Sequence, residues 1–228
     1  MISVIIPTLE EEKYLPALLK DLSSQNTRPG EIIIVDAGSK DGTLSVAKSM
    51  GAKVITSKKK SAAHQRNLGA KSAKGDLLVF IDADIRIRDP KTMEEVAARQ
   101  GSFHAATARV SVITEEKLLR DTLFCAPPNL IARISPRFCG RGAFMAVDRK
   151  AFEAVGGFDE KRIVTEDVEF FRRIGKIGRV ACLRSTVEES PRRYRSIGHA
   201  KVLWSWVSNA IHAAITGRSK DSEWRAIR

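Results

Sequence analysis

Three stretches of this chain are apolar at successive rather than alternate positions, with Ser3 the one interruption: Ile2 to Ile6, Ile32 to Val35 and Leu77 to Ile81. A strand with one face in water alternates apolar with polar residues, so these runs predict strands covered on both faces, as in a parallel sheet with helical crossovers. The intervening segments fit that layout. Helical patterns run over about Glu11 to Ser24, Gly42 to Met50 and Ala62 to Ala73, with a short strand at Val54 to Thr56. The expected fold is therefore α/β with a doubly wound, mostly parallel sheet. Ligands in such sheets bind beyond the carboxyl ends of the strands. The residues to read are those that follow the strands: Pro7 and Thr8, then Asp36, then Asp82 and Asp84.

The last pair is hard to justify by packing. Leu77 to Ile81 runs straight into Asp82-Ala83-Asp84, and carboxylates gathered in a crevice repel one another unless a cation or a hydrogen-bonding ligand compensates. Mg²⁺ or Mn²⁺, held by one or two carboxylates together with substrate phosphates, is the usual solution. On the motif alone, acids of a turn that caps the next helix are an equally physical reading.

Charge and motifs narrow the function. With 39 Lys and Arg against 27 Asp and Glu the formal charge is +12, which favours polyanions: nucleic acid, anionic membrane or phosphorylated small molecules. No basic patch is interleaved with aromatics as single-strand binding requires, so no nucleic-acid partner is expected. "PTLEEE" follows the first strand where a dinucleotide-binding oxidoreductase carries G-x-G-x-x-G and a nucleotidyltransferase a basic glycine-rich loop. Cys125, Cys139 and Cys182 are scattered and odd in number, fitting reduced thiols rather than a disulfide framework or a zinc site. "MISVIIPT" lacks the charged region and apolar length of a signal peptide, and no run of about 18 apolar residues predicts a membrane span. A cytoplasmic protein is expected.

In the second half, "APP" at 126–128 predicts a helix break. "GRGAFMAVDRKAFEAVGGFD" (140–159) reads as strand, short helix and Gly-Gly turn. "TEDVEFFRRIGK" (165–176) predicts a helix with Thr165 as N-cap and acids in its first turn. The organisation expected is one domain over 1–190, with a nucleotide-binding half (1–100) and an acceptor-side half (101–190), followed by a basic tail (191–228).

Five motifs occur in order: "SVIIPTLEEEKYL", "IIIVDAGSKDGT", "RNLGAKSAKGDLLVFIDAD", "GRGAFMAVDRKAFEAVGGFDE" and "TEDVEF". Together they resemble the family 2 glycosyltransferases, which have the A-type nucleotide-sugar transferase fold, over about residues 2 to 195. The resemblance implies an inverting, metal-dependent transfer of one sugar from a nucleotide-diphosphate sugar. It implies that Pro7 and Glu11 lie along the donor nucleotide, that Asp36 hydrogen-bonds the base, and that Arg66 approaches the diphosphate or holds the shape of that site. It implies that Asp82 faces ribose and metal, that Asp84 is the direct ligand of Mn²⁺ or Mg²⁺, and that Asp167 is the general base with Glu166 beside it. The family commonly has Tyr-Asn-Glu where this chain has Leu9-Glu10-Glu11, and a second Asp at Ala37, which leaves the base open. Q-x-x-R-W of processive synthases is absent. Arg192, Arg193 and Arg195, standing near where it would fall, are candidates for diphosphate or acceptor contacts. His199 is a candidate further metal ligand, a structural role being the alternative. A nucleotidyltransferase, or a non-catalytic nucleotide-binding membrane-recruitment protein on the same fold, are the other readings.

Placed on a helix, residues 200–217 carry Val202, Leu203, Trp206, Val207, Ala210, Ile211, Ala214 and Ile215 on one face, with Trp204 at its margin. From Arg192 onward eight basic residues face two acidic, a balance of +6, and Trp204, Trp206 and Trp224 all lie here. Such a helix either packs on the domain or lies in an anionic membrane interface. The second placement favours a lipid-linked acceptor.

Overall fold

The computed structural model describes residues 1–116, 118–138, 140–162 and 164–216, with the side chains of residues 210, 211 and 213–215 also outside the description. Its first half alternates strand and helix: β1 (Ile2–Thr8), α1 (Leu15–Ser23), β2 (Glu31–Asp36), α2 (Thr43–Ser49), β3 (Lys53–Thr56), α3 (Ala62–Ser72) and β4 (Leu77–Ile81). The remainder adds β5 (Ile85–Arg86), α4 (Thr92–Ala98), β6 (Ala105–Val112), α5 (Leu119–Ile134), β7 (Phe144–Asp148), α6 (Arg149–Ala154), α7 (Glu166–Ile177), β8 (Val180–Glu189), α8 (Arg192–Ile197) and α9 (His199–Thr216). These strands form one sheet in the order β3-β2-β1-β4-β7-β6-β8-β5. β3–β2, β2–β1, β1–β4 and β6–β8 pair in parallel, whereas β4–β7, β7–β6 and β8–β5 are antiparallel.

Both faces of the first strands are covered, as their nearly continuous apolar runs require. Val4 and Ile6 pack with Leu15, Leu18 and Leu22 of α1 and with Met93 and Val96 of α4. Ile5, pointing the other way, packs with Ala63 and Ala70 of α3 and with Phe80, Phe152 and Phe170. Each fully buried aliphatic side chain contributes about 2 kcal/mol relative to exposure. Pairing of β1 with β4 ends at Ile5–Phe80, so Pro7 stands where β1 has outrun its neighbour and its missing N–H costs no ladder bond. The end of β1 is thereby left open at the carboxyl edge of the sheet.

Three local expectations are corrected. α5 runs through Pro127 and Pro128 instead of breaking. Asn129 pins it to β6, donating to the Val110 carbonyl at 2.7 Å and accepting the Val110 N–H at 2.9 Å, so tertiary anchoring outweighs two lost helix bonds. Thr165 stands at the start of α7 but in the left-handed region, φ 65°, and its side chain caps nothing; its buried hydroxyl has no partner. The expected acids do occupy the first turn of α7.

The third correction concerns α9. It forms over almost the span read from the sequence, but its docked side is Val202, Trp206 and Asn209, with Trp206 against Phe124 of α5 at 5.4 Å. Leu203 and Val207, expected on the packing face, are exposed, as is Trp204. Asn209 is buried because its amide donates to the Ser205 carbonyl at 2.9 Å within its own helix. Ala210, Ile211, Ala214, Ile215 and Trp224 lie outside the described residues. Among the described residues no helix is long and apolar enough to cross a membrane. Cys125 is buried and Cys182 partly so, both free, and Cys139 lies outside the described residues.

Gly69 of α3 shows how tightly the layer between α3 and the sheet is packed. A Cβ there would come within 2.4 Å of Ile5 Cγ2 and 3.1 Å of Val35 Cγ2. Removing a helical glycine ordinarily stabilises a helix, yet here overpacking decides the sign. Gly69→Val should lower the unfolding free energy by about 1–3 kcal/mol in urea titration.

Candidate active site

The acids read from the sequence lie at the carboxyl ends of β2 and β4 and at the start of α7, but they do not form one cluster. Asp36 is buried and folded into its own turn. Its Oδ1 accepts the N–H groups of Gly38 and Ser39, each at 2.9 Å, and its Oδ2 accepts the hydroxyls of Ser39 at 2.5 Å and Thr8 at 3.0 Å. Four donors fill the four acceptor positions of a carboxylate. Gly38, at φ 87°, supplies the left-handed backbone this turn needs.

The centre of the site is Arg66, projected from α3 and 2% exposed. Its Nη2 donates to Asp82 Oδ1 and its Nη1 to Glu166 Oε1, both at 2.7 Å, while its Cζ lies 5.4 Å from the centre of the Phe158 ring. One guanidinium thus joins the acid after β4 to the acid pair that opens α7. Burial acts to lower its pKa, but the charges of Asp82, Glu166 and Asp167 outweigh it and hold the group above its usual value. Arg66 is therefore a fixed cation.

Asp167 approaches from the other side. Its Oδ2 accepts the Gly142 N–H at 2.7 Å and its Oδ1 the Val168 N–H at 2.8 Å. Gly142 precedes β7, and a Cβ there would sit 2.7 Å from Arg66 Nη2, 3.3 Å from Asp82 Oδ2 and 3.4 Å from Asp167 Oδ2. Three charged groups converge on a residue that has to be glycine. Burial raises the Asp167 pKa against the pull of Arg66 and the two N–H groups, opposite to what a helix N-terminus alone predicts. Glu166 is pushed up to about 7, first by burial and then by Asp167.

Asp84 and Glu11 form a second focus around Arg192. Arg192 Nη2 donates to Glu11 Oε1 at 2.6 Å and its Nε to Asp84 Oδ2 at 3.0 Å, with its Cζ 4.8 Å from the Tyr14 ring centre. Arg193 lies within electrostatic reach of Asp84, Asp82 and Glu166, and burial lowers its pKa. Burial raises Asp84, opposed by Arg192 and reinforced by Asp82. Glu11 is raised to about 7 by burial, Arg192 opposing, and its Oε2 is buried without a partner. Among the described residues no group of three metal-ligating side chains is gathered ready for an ion. The donor chemistry still suits a hard cation: Asp82 and Asp84 offer carboxylate oxygens, and the buried orphan Oε2 of Glu11 marks a place lacking a positive or donating partner.

His199 is not in this set. Its Nε2 pairs with Asp121 Oδ1 at 2.9 Å beneath Phe124 and Tyr194. Arg195, expected near the diphosphate, also binds Asp121, at 2.7 Å. Gly142, Tyr14, Arg141 and Glu189 were missed by the sequence reading; Arg141 donates to Glu189 at 3.0 Å beside the site. "GRG" before an apolar strand was the signal available for Gly142, whereas nothing local foretold the Arg141–Glu189 pair across 48 residues.

Residues 3–155 match the family Glycosyl transferase family 2. The chain belongs to that family. Relatives of this family 2 chain include the 4,4'-diaponeurosporenoate glycosyltransferase of Staphylococcus haemolyticus, 40% identical over 107 residues, which span 42% of this chain and 27% of that protein. The PGL/p-HBAD biosynthesis glycosyltransferase of Mycobacterium tuberculosis is 30% identical over 130 residues, 54% of this chain and 49% of that protein. The matches thus span half or less of these relatives' length. Among solved structures, the mannosyltransferase PcManGT from Pyrobaculum calidifontis in complex with GDP-Man and Mn²⁺ superimposes with a TM-score of 0.70 at 22% identity, covering 92% of this chain and 64% of that one. Glucosyl-3-phosphoglycerate synthase from Mycobacterium tuberculosis, with Mn²⁺, UDP and glucosyl-3-phosphoglycerate, gives 0.66 at 18%, covering 97% and 81%. The fold is that of the A-type glycosyltransferases.

Glu11 yields a pH signature. A carboxyl raised from 4.5 to about 7 on folding binds its proton more tightly in the native state, so its contribution to stability is largest below about pH 4.5 and is lost as pH rises through about 7. The difference in unfolding free energy between wild type and Glu11→Gln should therefore fall across pH 4.5 to 7 in urea titrations. A flat difference would contradict the burial assigned to Glu11.

Proposed function

We propose that this family 2 chain is an inverting, metal-dependent glycosyltransferase that moves a single sugar from a nucleotide-diphosphate sugar to an acceptor hydroxyl or lipid phosphate. One observation carries the reading: a single buried guanidinium, Arg66, binds Asp82, which follows β4, through one nitrogen and Glu166, the neighbour of Asp167 at the start of α7, through the other. The Mn²⁺ present with nucleotides in the two fold relatives supports metal use.

Asp84 and Asp82 would hold Mn²⁺ or Mg²⁺, which would supply positive charge against the departing diphosphate. Pro7 and Glu11 line the nucleotide. Asp36, whose acceptor positions are already filled, acts on the base through the turn it fixes. Arg192 leaves Glu11 and Asp84 as the donor enters and, with Arg193, pairs with the diphosphate, where guanidinium groups stabilise the charge that develops in the transition state. Arg66 keeps Asp82 aimed at the donor. Asp167, held by the Gly142 N–H, takes the acceptor's proton as it attacks the anomeric carbon from the opposite face; its raised pKa brings it nearer the working range of a general base. Glu166 remains on Arg66 and keeps Asp167 alone in that role. The three acids of the loop after β1, Glu10 to Glu12, disfavour the nucleotidyltransferase alternative.

Peripheral attachment to an anionic membrane, and a lipid-linked acceptor, belong to the same proposal. Trp204 and Leu203 of α9 point away from the domain, in a region of net positive charge, as interfacial helices do.

The roles separate experimentally. Asp84→Ala should abolish transfer and remove Mn²⁺-dependent stabilisation by UDP or GDP in thermal shift, leaving the fold intact. Asp167→Asn should keep nucleotide affinity within a few-fold while kcat falls by roughly 10² or more. Full activity in EDTA, or collapse of nucleotide binding in Asp167→Asn with turnover preserved, would overturn the assignment.

A further inference from the structure

The outward side of α5 is unusually apolar for a surface helix. Leu119 and Ile134 are 77% and 75% exposed, and Leu123 and Leu130 are also exposed along the same helix. The lone acid of α5, Asp121, is fully buried and bound by Arg195 and His199. The exposed charges of the helix are Arg120 and Arg133, both positive. Exposed apolar surface of this extent marks an interaction site, and its positive rim selects an anionic partner.

A second feature lies at the carboxyl end of the same helix, beside β8. A cavity of about 450 Å³ is lined by Arg99, Arg109, Arg133, Arg179 and Arg184 around Val180 to Leu183. Arg99 pairs with Glu95 at 3.2 Å. Among the described residues the other four have no carboxylate partner, and the Arg109 Nε is a buried donor without an acceptor. Crowded guanidinium groups repel, and a buried unpaired donor is costly. The missing component is an anion with several acceptor oxygens, which is the chemistry of a phosphate. This cavity is separate from the Arg66 centre, and no residue is shared between them.

The two features meet at Arg133, which lines the cavity and sits between Leu130 and Ile134 of α5. Pro136 also lines the cavity, and Phe138, two residues on, is exposed. A site for a free phosphate compound has no need of apolar side chains at its mouth, whereas a phospholipid presents phosphate and hydrocarbon together. We propose that α5, with the arginine cavity at its end, is the membrane-docking face: its apolar side chains enter the interface of an anionic bilayer and the cavity takes a phospholipid phosphate. This deepens the membrane reading advanced above and moves the principal contact from α9 to α5.

The test is co-sedimentation of the full chain with vesicles of phosphatidylcholine, alone or with one quarter phosphatidylglycerol, at low salt. Three double variants are compared: Leu123→Asp with Ile134→Asp, Arg133→Glu with Arg184→Glu, and Leu203→Asp with Trp204→Asp. All six side chains are exposed, and unchanged unfolding midpoints and Mn²⁺-dependent nucleotide binding verify the fold. Wild type should pellet only with the anionic vesicles. The first two variants should each bind at least roughly tenfold more weakly, and the α9 variant within about threefold of wild type. If either the α5 or the arginine variant binds like wild type, the proposal fails, and if the α9 variant alone loses binding the membrane reading survives it. If wild type binds no vesicle, both fail. Stabilisation by inorganic phosphate that needs Arg133 and Arg184, without vesicle binding, would show a site for a soluble anion and overturn the lipid assignment.

Discussion

A single buried guanidinium organises this molecule's carboxyl edge. Arg66 leaves α3 and holds Asp82 after β4 and Glu166 at the start of α7 at equal distances of 2.7 Å. Without it, Asp82, Glu166 and Asp167 would be neighbouring acids with no cation between them, and their repulsion would be relieved by protonation or by unfolding. With it, the two halves of the chain meet at one fixed cation. The cost is a buried charge network whose members cannot be changed singly, because removing one partner strands the other. Gly142 belongs to that network through its missing side chain, since any Cβ would displace the guanidinium.

The C-terminal elements close around the same edge. Arg192 of α8 spans Glu11 and Asp84, while Arg195 of the same short helix and His199 of α9 grip Asp121 at the head of α5. α8 is thus tied on one side to Glu11 and Asp84 at the carboxyl edge of the sheet and on the other to the helix whose outer surface is apolar. The two anchors of α8 are independent of each other: Arg192 holds Glu11 and Asp84, and Arg195 holds Asp121.

The first half of the sheet was legible because β1 to β4 announce themselves by composition, whereas β5, β6 and β8 were not read. β4 spans Leu77–Ile81, as its apolar run reads, and β1 to β3 differ from expectation only at their ends. The acids at strand ends were legible for the same reason, being charges at positions that packing cannot justify. What could not be read depends on contacts distant in sequence. Asp36 looks from sequence like a free acid and is instead consumed by Thr8, Gly38 and Ser39. Pro127 and Pro128 ordinarily stop a helix, and the bond from Asn129 to β6 that carries α5 through them leaves no periodic trace. The buried side of α9 was misplaced because an apolar arc tells how much of a helix avoids water, while the partner surface decides which part of the arc it meets. The arginine cavity was invisible because Arg99, Arg109, Arg133, Arg179 and Arg184 come from four separate elements and their flanking loops.

The most direct test of the account is the unfolding free energy of Arg66→Met at pH 8, where Glu166 is driven to ionise, beside that of Arg66→Met with Glu166→Gln. If Arg66 compensates the acids on both sides, the single variant loses about 3–5 kcal/mol and the second substitution restores part of it by removing a stranded charge. A single variant within about 1 kcal/mol of wild type, or a double variant weaker than the single by the full cost of losing Glu166 alone, would show that the guanidinium is a bystander and that the two halves of the site are held together by something else.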